Sequence, residues 1–311
     1  MAQIVLIHGI AQEQEGPASL EAQWLPAIAD GLFAAGHPDL ADRLWPDCSP
    51  RDIDVRMAAY GDLFLTSGAQ GSDEDLDDLD PSEMVLAQAL AAEWLNRAAV
   101  RGEPADRDTA VRELGYLDPS HEEMGVKEEA LRAILNAVTR LPWFGIGGMA
   151  LAERFVNKSL RQVTRYLTDS DLHTEIQNRV LARVGPDTKI IIGHSLGSVI
   201  AYEVAASHLS TPLPLLLTLG SPLGLRSVIY NRLTPQPPTY PTRVRRWVNI
   251  ADRNDLVAAE PDLTPLFSAS RPADSVLESG WTVDNGAKPH EALYYLRKKQ
   301  VGKPFAEALD A

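Results

Sequence analysis

Short runs of apolar and β-branched residues punctuate this chain, and longer stretches with apolar positions three and four apart lie between them. Ile4-Val5-Leu6-Ile7, Ile53 to Ala59, Ile190-Ile191-Ile192 after Lys189, and Arg246-Trp247-Val248-Asn249-Ile250 predict strands, and Ser279-Gly280-Trp281-Thr282-Val283 predicts a last one. Ser198 to Ala206 predicts a helix directly after the third run. Ser82 with Glu83 opens another that reaches Arg101. Val126, Ala130, Leu131, Ile134, Leu135, Val138 and Leu141 make one apolar helix face, and Leu151, Phe155, Leu160 and Leu167 a further one. Leu172 to Val184 leads into the third strand, and His290 to Leu296 begins a final helix. The pattern predicts an α/β fold, with a mostly parallel sheet flanked by helices. Residues 1–66 and 169–311 would form the core, and 67–168 a helical insertion.

The third strand and its helix enclose Gly193-His194-Ser195-Leu196-Gly197. A G-x-S-x-G pentapeptide at a strand-to-helix turn places the serine on a sharp bend, where glycines keep side chains out of the way. The helix N-terminus then points toward the place where negative charge would develop. Such a serine needs a neutral histidine as base, an acid to orient that histidine, and backbone N–H groups for an oxyanion. On this sheet architecture the chain order is serine, acid, histidine.

Only His208 and His290 follow Ser195. His208 falls over three turns along the helix leaving the serine, so His290, on the loop after the last strand, is the candidate base. The candidate acids follow the Arg246–Ile250 strand. Asp255, with Leu256-Val257 to anchor its loop, is favoured over Asp252, which suits a turn brace. Leu196 would supply one oxyanion N–H. Ile10 or Ala11, after Gly9, would supply the other. His8 is expected to pack and hydrogen-bond within that first loop.

On these residues the chain resembles the α/β-hydrolase superfamily, and its lipase-like members in particular. The resemblance rests on Val5-Leu6-Ile7-His8-Gly9, on the pentapeptide, on Trp247-Val248-Asn249-Ile250 with Asp255-Leu256-Val257, and on Asn285 with His290 and Tyr294-Tyr295-Leu296. Thr218-Leu219-Gly220-Ser221-Pro222-Leu223-Gly224 is similar to the strand and loop after the serine helix in lipase-like members. The resemblance covers residues 1–66 and about 171–311. It implies a sheet with a shortened front, because the usual leading antiparallel strands have no room before Ile4. It implies a serine hydrolase acting on an ester of a lipid or other acyl substrate, with 67–168 as a helical cap. A thioesterase or amidase on the same triad, or a catalytically silent binding or signalling protein, are the alternatives. Leu141-Pro142-Trp143-Phe144-Gly145-Ile146-Gly147-Gly148-Met149 reads equally as a lip over an acyl pocket, with Trp143 and Phe144 touching substrate, or as a buried helix connection.

Composition narrows the setting. A net charge of −14 argues against nucleic acid and anionic membrane as partners. Much of it falls at Asp73, Glu74, Asp75, Asp77, Asp78 and Asp80. The glycine and glutamate of a calcium loop are missing there, so a solvated acidic loop is expected. The single cysteine, Cys48, permits no internal disulfide and reads as a bystander. No apolar run approaches membrane-spanning length, and no basic-then-apolar leader pattern opens the chain. The expectation is a cytoplasmic enzyme that needs no metal or organic cofactor.

Overall fold

In the computed structural model, the apolar runs form a seven-stranded sheet in which every neighbouring pair is parallel. The strands are β1 (Ile4–Ile7), β2 (Val55–Met57), β3 (Ile190–His194), β4 (Leu213–Leu219), β5 (Val244–Asp252), β6 (Val276–Glu278) and β7 (Trp281–Val283). Their order is β2-β1-β3-β4-β5-β6, and β7 pairs with β5 beyond the end of β6. The structure describes residues 2–46, 52–65, 79–116, 127–144, 149–258 and 260–310. Cys48, the acids at 73–78, Val126 and residues 145–148 lie outside the described residues, as do the side chains of Ala130, Leu131 and Leu151.

Central strands covered on both faces need apolar residues at every position. Accordingly, every residue of β1 and β3 is buried. One face of the sheet carries Ile4, Leu6, Ile190, Ile192, Leu215, Leu217, Val248 and Ile250, the period-two set expected of a strand. This face packs with Leu20, Trp24, Ile28 and Leu32 of α1 (Pro17–Ala34), with Tyr295 and Leu296, and with Val301 and Phe305 near the C-terminus. On the alternate positions, Trp247 meets Tyr202, Tyr240 and Phe267 with ring centroids 5.5, 6.1 and 5.0 Å away. Its indole N–H is satisfied by Thr218 Oγ1 at 2.9 Å.

Of the last predicted strand, Ser279 to Val283, only Trp281–Val283 forms one, β7; a further short strand, β6, lies just before the predicted range. The gap between them falls at Ser279-Gly280, where Gly280 has φ +138°, and within β7 the register against β5 slips at Ala251/Asp252. Ser279 Oγ accepts the Leu263 N–H at 2.8 Å, a tie that draws the chain out of line.

The described chain divides into two compact units, Met1–Leu63 with Thr174–Ala311, and Phe64–His173. The second boundary lies later than the pattern suggested, because the His173 ring packs 4.7 Å from Tyr166 in the helical unit. After α2 (Pro38–Leu44) in the sheet unit, the helical unit carries α3 (Pro81–Arg101), α4 (Pro104–Tyr116), α5 (Lys127–Thr139) and α6 (Met149–Thr168). Asp80 caps α3: its carboxylate accepts the N–H groups of Ser82 and Glu83, and Glu83 returns a bond to the Asp80 N–H. Leu86, Leu90 and Leu95 of α3 are buried, as are Leu135 and Val138 of α5 and Val156 and Leu160 of α6. The second boundary falls within α7 (Ser170–Leu181), which precedes β3; in the sheet unit α8 (Leu196–Ser207) follows β3, and α9 (Thr264–Phe267), α10 (Ala292–Leu296) and α11 (Lys299–Asp310) complete the chain. Among the described residues no helix is long and apolar enough to cross a membrane.

Candidate active site

The C-terminal ends of β1, β3, β4 and β5 lie side by side in a parallel sheet, so their following loops share one edge, where open α/β sheets bind ligands. Ser195 stands at the end of β3 with φ 53° and ψ −127°, a conformation side chains rarely adopt. Its neighbours make the bend possible. A Cβ on Gly193 would lie 2.3 Å from the Gly197 carbonyl oxygen, and one on Gly197 would lie 2.3 Å from the carbonyl oxygens of Ile7 and His8. The bend is fixed by backbone bonds: the Ser195 N–H donates to Leu219 O at 3.0 Å, and Ser198 donates its N–H and its hydroxyl to the Ser195 carbonyl.

His290 lies in the turn before α10, with the helix beginning two residues later than its pattern suggested. Its Nε2 is 3.0 Å from Ser195 Oγ and its Nδ1 is 2.8 Å from Asp255 Oδ2. A carboxylate can only accept, so Nδ1 carries a proton and Nε2 is left to accept the serine hydroxyl. Asp255 is buried; its Oδ1 accepts the N–H groups of Val257 at 2.9 Å and Ala258 at 3.3 Å. Asp252 faces the other way. Its carboxylate accepts the N–H groups of Asn254, at 2.8 Å, and of Asn285, joining the end of β5 to the loop that carries His290. Burial raises its carboxyl, with the nearby charges of Asp255 and Asp284 adding and the two N–H bonds opposing. His208 caps the far end of α8, a twelve-residue helix away from the serine.

The Leu196 N–H belongs to the first turn of α8, where helix geometry leaves amide donors without an intrahelical acceptor. The β1 loop runs against the serine from the other side: a Cβ on Gly9 would be 2.8 Å from Ser195 Cβ. Ile10 follows it, buried, and Ala11 has φ 61°.

Two buried histidines frame this loop. His8 stacks on Tyr60 at 4.1 Å, accepts the Tyr60 N–H at Nε2 and bonds the Gly9 carbonyl through Nδ1. His194 donates from Nε2 to the His290 carbonyl at 2.8 Å, and the two rings lie 4.8 Å apart. Burial lowers His8 to about 4, and burial followed by the His290 charge lowers His194 to about 3. The unfolded rings take protons near pH 6.5. Burying them neutral therefore contributes its full stability above that pH and loses it as pH falls toward 4, with Asp252 pulling the opposite way. Stability is expected to fall steadily between pH 7 and about 4.5, by on the order of 3 kcal/mol from His8 alone at the acid end, and the thermal midpoint to fall with it. Melting curves across that range check it; a flat or rising midpoint would contradict it.

Tyr295 and Gly220 were not singled out for the site by sequence. The Tyr295 hydroxyl donates to Asp255 Oδ2 at 2.8 Å, and Gly220, at φ 53°, leaves room where a Cβ would lie 2.9 Å from that oxygen. Both lie in segments that carry the family resemblance, Gly220 in the Gly-Ser-Pro after β4 and Tyr295 in Tyr294-Tyr295-Leu296, but sequence gives neither a role.

Trp143 and Phe144 lie in the helical unit. Phe144 is buried among Trp143, Trp94 and Phe155, at 4.6, 5.5 and 6.3 Å. The Trp143 N–H donates to Asp106 Oδ1 at 2.8 Å. These contacts suit either a helix connection or the base of a lip. Phe144→Ala is expected to destabilise the protein by about 3–5 kcal/mol, and half-buried Trp143→Ala by less. Thermal unfolding, read beside rates on esters of graded acyl length, separates the two roles. A lip over an acyl pocket would weaken long chains most; a connection would depress all chains alike.

Among the described residues no group of three or more His, Cys, Asp or Glu is arranged to hold a metal ion. Comparison with models of known families, with curated proteins and with solved structures finds no match, so the functional reading rests on this geometry.

Proposed function

We propose that this chain is a serine hydrolase that cleaves an ester bond of a lipid or other acyl substrate through an acyl-enzyme. The observation that carries the reading is the hydrogen-bond path from Ser195 Oγ through His290 to buried Asp255. In the proposed reaction, Ser195 Oγ adds to the acyl carbonyl carbon while its proton passes to His290 Nε2. Asp255 holds the resulting imidazolium. The carbonyl oxygen becomes an oxyanion that takes the N–H groups of Leu196 and Ile10. The tetrahedral centre then collapses, the bond to the alcohol oxygen breaks, and His290 returns its proton to that oxygen. Water repeats the sequence, releasing the acid and restoring the serine hydroxyl.

The resemblance to lipase-like α/β-hydrolases favours an ester. The same steps cleave a thioester or an amide, with a thiol or an amine leaving. A catalytically silent protein of this fold would not need a buried carboxylate aligned on a histidine that reaches a serine. Purified protein offered aryl esters of graded acyl length is expected to release alcohol with an initial burst and then acid at steady rate. An inert panel of esters, beside active thioesters or amides, would reassign the leaving group; inertness on all three would remove the hydrolase reading.

A further inference from the structure

We infer that Tyr295 is a positioning residue of this site: its hydroxyl clamps Asp255 Oδ2, the oxygen that also faces His290, and thereby sets the pH at which His290 becomes a base. This rests on the Ser195–His290–Asp255 reading.

Tyr295 lies on α10, fully buried, one turn and a half beyond His290. Its hydroxyl oxygen is 2.9 Å from the Asp252 N–H and 2.8 Å from Asp255 Oδ2. An amide N–H can only donate, so the hydroxyl accepts there and its single proton is committed to Asp255. Oδ2 therefore faces two donors, the Tyr295 hydroxyl and His290 Nδ1, while Oδ1 takes two backbone N–H groups. Burial, with the Asp255 charge next, pushes the phenol well above its usual range, so the donor stays protonated throughout any assay.

Two consequences follow from sharing one oxygen. The clamp ties the acid to the end of β5 through Asp252, which fixes the carboxylate plane. The phenol proton also disperses charge that would otherwise hold the imidazolium, and a less tightly held imidazolium gives up its proton at lower pH. Among the described contacts, the charged and titratable groups around His290 include Asp255 from the loop after β5, with Tyr295 of α10 on the same carboxylate, and His194 and Ser195 at the end of β3; Asp252 stands behind Tyr295. His194 is held neutral at about 3, so it does not titrate alongside His290.

The test compares wild type with Tyr295→Phe, which keeps the ring and removes only the hydroxyl. The rate of labelling by a fluorophosphonate is followed over about pH 5 to 9, and the His290 ring is titrated by NMR in both proteins. The expected result is an acid limb moved up by roughly half to one pH unit, with the NMR midpoint moving alike. An unmoved midpoint with a loss uniform in pH, or with no loss, would overturn the inference and leave Tyr295 as packing. The NMR titration needs no turnover. A protein that is never labelled but whose midpoint moves would keep the clamp and lose the hydrolase; labelling with an unmoved midpoint would do the reverse. If the phenylalanine variant does not fold, difluorotyrosine at 295 keeps every contact and strengthens the donor. It should move the midpoint down, and an unmoved midpoint there would overturn the inference equally.

Discussion

Ser195→Ala is expected to lower turnover by on the order of 10³-fold or more while leaving the fold intact. The substitution removes one oxygen. The bonds that hold the bend use the backbone N–H and carbonyl of residue 195, to Leu219 and Ser198, and an alanine keeps them. What is lost is the atom that would form the acyl-enzyme, 3.0 Å from the base. The residual rate would come from the oxyanion donors and binding alone. Steady-state rates beside circular dichroism and melting curves check this. Turnover within tenfold of wild type in a folded variant would mean another nucleophile.

Asp255→Asn is expected to cost on the order of 10⁴-fold, far more than Asp252→Asn, and the hydrogen bonds give the reason. The Val257 and Ala258 N–H groups cannot reverse and outnumber the Tyr295 hydroxyl on the other oxygen, so an asparagine is expected to turn its amide oxygen toward the two backbone donors. Its NH₂ group then faces His290 Nδ1. That nitrogen becomes an acceptor, the ring proton moves to Nε2, and the base can no longer receive the serine proton. Asp252→Asn sets an NH₂ group against one of two backbone donors, Asn254 or Asn285, and so loosens the loop carrying His290. That should appear mainly as lost stability of about 1–3 kcal/mol. Rates and melting temperatures of the two variants decide; equal rate losses, or the reverse order, would move the acid to Asp252.

Much of this was legible in sequence because the signals are local. The β3 run, the bracketing glycines and the α8 pattern are contiguous, and backbone sterics tie them to one bend. His290 came from elimination among few histidines. The order of roles between Asp252 and Asp255 was weaker, because both follow one strand and only through-space contacts separate them. Tyr295 was illegible for the same reason. It is one of two adjacent tyrosines on a short helix, reads as core, and meets Asp255 across forty positions of chain. The helix α1 carries apolar residues on most of its faces, with even Phe33 exposed, so its pattern has little contrast. The break between β6 and β7 depends on Ser279 bonding Leu263, a partner no periodicity reveals.

The most direct test of the site is covalent. Purified protein is treated with a serine-reactive fluorophosphonate and the adduct is mapped by peptide mass spectrometry. The expected result is a single adduct on Ser195, absent in Ser195→Ala and strongly slowed in His290→Ala. A folded protein that takes no adduct, or takes it elsewhere and keeps it in Ser195→Ala, would contradict the assignment of Ser195 as an activated nucleophile.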